Sequence, residues 1–383
     1  MPSFPLNLSQ WKYRKRITIS GSSGAGTNYQ VLLKVGESSG ASGADFHLEG
    51  ASEIFPSGKN QGGDLRFALP NGTLLDFWVE SVTGTSPNRV AYIWVEVADN
   101  LDTDKDIYIY FGNSGATNYS NLENTFIRII TGLVGCWHFD EGSGTTAYDS
   151  SGSNNHGTLY NGPTWVDGKF GKALSFDGVN DYVRVSRNIQ DDFTVQLWLK
   201  TSVNSLTNTH AYHGNGIVWS DVAGAANDMI PMAYLNNKLA FGTGNSSGTY
   251  HTLFSNSTLN TGNWIHLAVT RVKSTGEKKV YVNGVLENTQ TSVTVSLNAN
   301  SIIDIGGNTL DSRYFNGIID EVHFYNRALS ASEILDLYNY YGHTTLEEPG
   351  KVLVRKRVSP EPAFSSAGPL EKRSSIVPMF FIR

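Results

Sequence analysis

The segment 210–232 carries the residue types that grip a sugar. Tyr212 and Trp219 offer flat apolar faces, while Asn227 and Asp228, with His213, Asn215 and Asp221 nearby in sequence, offer donors and acceptors for hydroxyl groups. An aromatic platform beside Asn and Asp side chains on a loop rim suits a polyol, and loops on a rigid sandwich commonly carry function. A structural reading of the same residues competes with it. Trp219 follows Ile217 and Val218, which places it in a strand and against a core.

Residues that could instead do catalysis are poorly arranged for it. The chain has no H-E-x-x-H, no G-x-S-x-G and no Gly-rich phosphate loop ending in Lys-Ser/Thr. Asp320 and Glu321 are neighbours, and a period-two strand would send them to opposite faces; glycoside hydrolysis needs two carboxylates roughly 5–9 Å apart. His138, His266 and His323 lie in strand patterns and read as hydrogen-bonded sheet residues rather than as ligands. Cys136 is the single cysteine, which excludes an intramolecular disulfide, and reads as a buried thiol beside Trp137. Asp140, Glu141, Asp149, Asp177, Asp181 and Asp320 sit near strand ends, where two readings stay open: turn capping, favoured for Asp149 and Asp177, or a calcium ion stapling the fold.

Short strands must position these residues. At 383 residues, with 39 glycines and many Asn, Ser and Thr, the chain reads as all-β and as more than one domain. Tyr13 to Ser20, Tyr29 to Val35, Leu74 to Glu80, Ala91 to Val97 and Asp106 to Phe111 form a first set, several with period-two alternation. Trp78, Trp94, Phe67, Tyr108 and Tyr110 are expected to supply one core there. The polar stretch 113–124 reads as a junction, so the domains are expected at 1–125 and 126–342, with 343–383 a basic, Pro-containing tail that holds one return strand at Val352 to Val358 and a loose end finishing M-F-F-I-R. In the second domain Phe176, Val183, Val185, Val195, Leu197 and Leu199 alternate with polar residues and should face an inter-sheet core. Val282-Asn283-Gly284 signals a tight hairpin, and Ser330 with Glu333 forms a capping box that opens one short helix.

Composition removes some functions. Lysine and arginine total 29 against 35 acidic residues, a net charge of −6, so the basic field that nucleic-acid binding needs is missing. No apolar run approaches the ~20 residues of a membrane span. Residues 1–10 show no basic cluster followed by an apolar run, so no signal peptide is visible.

The first set of motifs, W-K-Y-R-K-R-I-T-I at Trp11 to Ile19, D-L-R-F at Asp64 to Phe67, L-D-F-W-V-E at Leu75 to Glu80, I-W-V-E-V at Ile93 to Val97 and I-Y-I-Y-F-G-N at Ile107 to Asn113, resembles a prokaryotic β-domain family of unknown function found in surface and exported proteins. The second set includes W-H-F-D-E-G at Trp137 to Gly142, G-K-A-L-S-F-D-G at Gly171 to Gly178, D-F-T-V-Q-L-W-L-K at Asp192 to Lys200 and D-E-V-H-F-Y-N-R-A-L-S at Asp320 to Ser330. It resembles the laminin-G-like, concanavalin A-like jelly roll. The implied architecture is two β-sandwich domains, the second a jelly roll closed by the short helix. In related laminarinase-type glucanases the catalytic acids lie on one strand as E-x-D-x-E, a triplet this chain lacks.

Residues 302–341 look similar to the closing part of the pentraxins, in which an acidic loop and an Asp-Asn pair from an earlier hairpin hold calcium. Carried over by position, Asn308 and Asp311 become the loop and Asn227-Asp228 the pair, in reversed order. With one carboxylate in its loop, this set implies a single calcium ion at most. The expected function is non-catalytic recognition or adhesion at a cell or virion surface, with a glycan or surface polysaccharide as partner, bound through Tyr212, Trp219, Asn227 and Asp228 with calcium as an aid. Self-association or contact with other surface proteins, as in a surface layer, filament or spike, is the competing role. A glycoside hydrolase or lyase on the same scaffold ranks third.

Overall fold

The computed structural model describes residues 4–52, 55 and 63–373. The chain divides into two compact units, Met1–Ile129 with Leu353–Arg383, and Ile130–Val352. The first boundary thus falls at 129/130, a few residues beyond the polar stretch that suggested 125/126.

In the first unit, Tyr13–Ser20 pairs antiparallel with Lys105–Phe111, and Tyr29–Gly36 with Val90–Val97, each pair forming the centre of its own sheet. Alternate positions of these strands, among them Ile17, Ile19, Val31, Leu33, Ile93, Val95, Ile107 and Ile109, are fully or almost fully buried in one shared core. The aromatic residues expected to form that core divide among three. Of them only Phe67 lies in it, beside Phe77, whereas Trp78 and Trp94, one residue out of phase with Phe77 and Val95, pack with Phe126 on the other side of their sheet. Tyr110 joins Leu8 and Trp11 in a third cluster. Successive side chains on a strand take opposite faces, so Trp78 and Trp94 cannot share the interior that holds Phe77 and Val95.

The tail differs most from its reading. Beyond Lys351–Arg355, which overlaps the return strand expected at Val352 to Val358 but ends three residues earlier, the chain makes two more strands, Ala363–Ala367 and Glu371–Lys372, and both pair with Tyr13–Ser20. Residues 343–383 are therefore no separate tail, since the first unit takes up the chain from Leu353. The final M-F-F-I-R stretch lies outside the described residues.

The second unit is built on an eight-stranded and a ten-stranded sheet. Phe176, Val183, Val185, Val195, Leu197 and Leu199 all enter its large core, as their alternation requires. Burying side chains of this size stabilises by about 1.5–3 kcal/mol each. The hairpin joining Glu277–Val282 to Val285–Thr291 turns at Asn283 and Gly284, whose φ angles of 50° and 76° are those of a type I′ turn. Helix Ala331–Asn339 starts at the Ser330–Glu333 capping box and buries Ile334 and Leu337. Its Tyr338 stacks on Trp198, 5.7 Å between ring centroids, on the outer face of the eight-stranded sheet.

The six scattered acids accept backbone N–H groups. Asp149 alone takes those of Cys136, Ser151 and Asn155, all at 2.9 Å, and Asp177 takes that of Val179 at 2.7 Å. Asp140, Glu141, Asp181 and Asp320 accept from Lys172, Tyr148, Asp177 and Lys169. This is turn-holding chemistry.

Asp320 and Glu321 depart from strict alternation. Along Asn316–Tyr325, Ile319 and Val322 both point into the core, leaving both acids on the outer face. A bulge produces this: Gln196 pairs with His323 but Trp198 with Asp320, and Glu321 has a φ of 52°.

Candidate functional site

The site lies in the second unit, at the end of the ten-stranded sheet where three loops meet. Asn215–Ser220 and Met229–Leu235 pair antiparallel, with Ser220 opposite Met229, so the intervening D-V-A-G-A-A-N-D brings Asp221 and Asp228 close together. Small residues at 223–226 keep this loop low. Lys238–Gly244 and Tyr250–Phe254 supply the second loop, and residues 309–312 the third. Together with Tyr212, they enclose a pocket of about 530 Å³, lined by Asp221, Asp228, Tyr250, Leu310 and Asp311 among others. Gly242 is required beneath it, since a Cβ there would lie 2.1 Å from Tyr250 Oη.

Three carboxylates of different character face this space. Asp228 is 4% exposed and its Oδ1 accepts from Val222 N at 3.4 Å. Asp221 is hydrogen-bonded to it. Burial, and then the charge of Asp228, push the Asp221 carboxyl well above the ordinary carboxylate range, which favours a proton shared within the pair. Asp228 is also raised, chiefly by burial. Asp311, at the rim, has a side chain 38% exposed, and Arg313 Nη1 approaches it at 3.4 Å. Burial, followed by the Arg313 charge, lowers the basicity of neighbouring His213.

Of the residues singled out in the sequence, Tyr212, Asp228 and Asp311 come together on the pocket wall. The other three do not line it. Trp219 is 2% exposed and packs beneath Tyr212 and Tyr250 with Ile230, Ala233 and Leu235, which rules out stacking on a ligand in this conformation. Asn227 Oδ1 accepts from Ser246 N at 3.1 Å, tying the first loop to the second. Asn308 is fully buried; its Oδ1 accepts from Asp311 N at 3.0 Å, which sets the third loop. Two pocket residues lie outside the expected set: Tyr250, and Asp221, which the sequence places only near it. Tyr250 opens a short strand, Y-H-T-L-F, without clear alternation and carries no local signal, but two acids bracketing a small-residue hairpin are a legible sign of the Asp221–Asp228 pairing.

The tyrosines form a compact aromatic wall. Tyr212 and Tyr250 meet edge to face at 4.8 Å between centroids, and His210 stacks on Tyr212 at 5.0 Å. Aromatic surface, a shared proton and acidic acceptors can satisfy a ring that carries hydroxyls on its edge and C–H groups on its face.

Two family models agree with this architecture. Residues 177–335 match the laminin-G-like family model described as the Concanavalin A-like lectin/glucanases superfamily. Residues 61–162 match the Domain of unknown function (DUF2341). The chain thus joins an N-terminal domain of unknown function to a concanavalin A-like domain. No curated protein matches it. Among solved structures, domain 4 of AbnA, an extracellular GH43 arabinanase from Geobacillus stearothermophilus in complex with arabinotriose, is 25% identical with a TM-score of 0.45, over 54% of this chain and 98% of that one. The binding domain of Paraclostridial Mosquitocidal Protein 1 is 20% identical, TM-score 0.43, over 54% of this chain and 52% of that one. The receptor binding domain of botulinum neurotoxin C/D mosaic serotype is 17% identical, TM-score 0.44, over 54% and 51%. This chain therefore spans about half the length of either toxin domain.

Proposed function

We propose that the second unit is a recognition module that holds a glycan in the pocket between Tyr212, Tyr250 and the three aspartates, at a cell or virion surface and without cleaving it. The observation that carries the reading is the pocket itself, in which an aromatic wall stands beside the Asp221–Asp228 pair and the rim carboxylate of Asp311. Acidic acceptors suit vicinal hydroxyls, and hydrogen bonds to charged groups are worth about 1.5–3 kcal/mol each. A concanavalin A-like match over residues 177–335 supports a binding role for this sandwich.

The geometry speaks against glycoside hydrolysis in this pocket by its paired acids. Asp221 and Asp228 are in hydrogen-bond contact, whereas a retaining or inverting pair stands about 5–9.5 Å apart to admit the sugar or a water.

Calcium enters the proposal as an aid to capture. Asp221, Asp228 and Asp311 line one pocket and offer oxygen donors, the ligand type hard cations take, but their carboxylates do not gather into one cluster as they stand, so Asp311 would have to swing in from the rim. Asn227 and Asn308, the other two residues expected to hold it, direct Oδ1 to backbone N–H groups.

The test is a glycan array probed with the intact chain, with calcium and with a calcium-selective chelator. Binding to one sugar class supports the proposal, and loss of that signal in chelator supports the calcium role. Silence under both conditions, with ordered oligomers in solution, would replace recognition by a structural, assembly-forming role. Release of reducing ends would replace it by catalysis.

A further inference from the structure

Beneath the helix, on the outer face of the eight-stranded sheet, lies a cluster the glycan site does not use. Leu133–Trp137 pairs antiparallel with Asn316–Tyr325, and in that register Cys136 stands directly opposite His323. His138, two residues beyond Cys136, faces the same way. One ligand atom from each of Cys136, His138 and His323 lies within 4.8 Å of the other two, the only such grouping of three or more His, Cys, Asp or Glu among the described residues.

We propose that Cys136, His138 and His323 bind a borderline-soft divalent cation of the zinc class. The separation fits one. Zinc bonds of about 2.3 Å to sulfur and 2.0–2.1 Å to nitrogen in a tetrahedron put S and N about 3.5 Å apart, and Cys136 Sγ lies 3.4 Å from His138 Nε2. Glu321 prepares the imidazoles. Its Oε2 is 2.8 Å from His138 Nδ1 and 3.2 Å from His323 Nε2. Taking the Nδ1 proton of His138 leaves Nε2, the nitrogen beside the sulfur, as a lone-pair donor, which is how carboxylates orient metal-binding histidines. Thr344 Oγ1 lies 2.8 Å from the same Nε2 and competes for its lone pair, so its hydroxyl must turn aside when the cation binds.

Hydrogen bonding alone does not account for the arrangement. Glu321 is 3% exposed, yet its Oε1 has no hydrogen-bond partner among the described residues, and buried carboxylate oxygens are normally paired. A thiolate and this carboxylate together balance a dication, so the bound state buries no net charge. Cys136 and His323 are at most 1% exposed while the His138 side chain is 14% exposed, so the cation enters past His138. This assigns to His138 and His323 the ligand role that their strand positions had argued against.

The test uses the intact, chelator-treated and dialysed chain with cobalt(II) as the spectroscopic probe and zinc as competitor. One equivalent of cobalt should produce a thiolate-to-metal charge-transfer band, which one equivalent of zinc removes; Cys136 is the only cysteine, so the band reports this site alone. Cys136→Ser should abolish the band and weaken zinc binding at least tenfold, and Glu321→Gln should keep the band but weaken zinc binding about 10–100-fold. Folded protein that takes up no cobalt, or binds it without the band, overturns the proposal, as does a folded Cys136→Ser variant with undiminished zinc affinity. Should that variant not fold, X-ray absorption of the zinc-loaded native chain decides: one sulfur near 2.3 Å supports the site and its absence refutes it.

Discussion

Removing the Asp311 side chain separates recognition from stability. Asp311 sits on the pocket rim, 38% exposed, with Arg313 Nη1 at 3.4 Å as its ionic neighbour. An exposed pair of that length contributes about 0–1 kcal/mol, and its backbone N–H would still donate to Asn308 Oδ1 in the variant. Asp311→Ala also removes a long, 3.4 Å acceptor of the Asn308 amide, so it should shift stability by no more than about 1 kcal/mol. Its effect on ligand should be far larger. A hydroxyl that loses a charged acceptor forfeits about 1.5–3 kcal/mol, and at 1.36 kcal/mol per factor of ten the Kd should rise about 10- to 150-fold. Isothermal titration with the tightest-binding glycan from the array measures this directly, and Asp311→Asn, which keeps a neutral acceptor, should fall between wild type and Ala. A folded Ala variant whose Kd stays within about threefold of wild type would refute the reasoning. So would a melting temperature several degrees lower, since it would make Asp311 a structural residue.

Three further outcomes follow from the same geometry. Asp149→Ala strips three backbone N–H groups of their acceptor and should cost about 3–5 kcal/mol, with a drop in melting temperature of the order of 10 °C; a shift under about 2 °C would contradict the turn-holding role. Gly242→Ala drives a methyl group to 2.1 Å from Tyr250 Oη, so it should destabilise by about 1–3 kcal/mol and weaken glycan binding by moving the Tyr250 ring; a variant equal to wild type in both titration and melting would show that the ring is free to yield. In the first unit, hydrogen bonds from Arg89, against the opposing effect of burial, hold Glu37 down to about 2. A depressed folded pKa gives stability that is present above the ordinary value of about 4.5 and is lost as pH falls towards 2, so Glu37→Gln should be roughly 1–3 kcal/mol less stable at pH 6 and nearly equal to wild type at pH 2; urea melts with a constant gap across that range would contradict this.

Local signals in the sequence translated well into local structure. Asn283 and Gly284 specify a two-residue hairpin because both must take positive φ, and Ser330 with Glu333 specifies a helix start because each satisfies a donor of the other. Alternation placed Phe176, Val183 and Leu197 in the core. The same rule fails at Asp320 and Glu321, where a bulge turns two adjacent side chains to one face, and nothing in a one-dimensional pattern announces a bulge. Strand Ala363–Ala367 was illegible for another reason. Four of its five residues are exposed, so no apolar periodicity marks it.

The sites were harder to read because they are assembled from distant segments. Tyr212, Asp228 and Asp311 were identifiable as residue types, but the pocket depends on three loops meeting, and Tyr250 joins it from an ordinary strand. Trp219 shows the opposite limit: its type suits a sugar platform, yet its place in Asn215–Ser220 sends the ring beneath the tyrosines. Cys136 and His323 lie far apart in sequence and become neighbours only through sheet register.

If this pocket captures a glycan, filling it must abolish binding. Ala225 is exposed on the pocket wall, so Ala225→Trp should fill the space without disturbing the core. Wild type and this variant should be applied side by side to the same glycan array. Wild type is expected to bind a defined sugar class, and the folded variant to lose it. Equal binding by both would place recognition elsewhere on the protein, and no binding by either would rule out glycan recognition as its role.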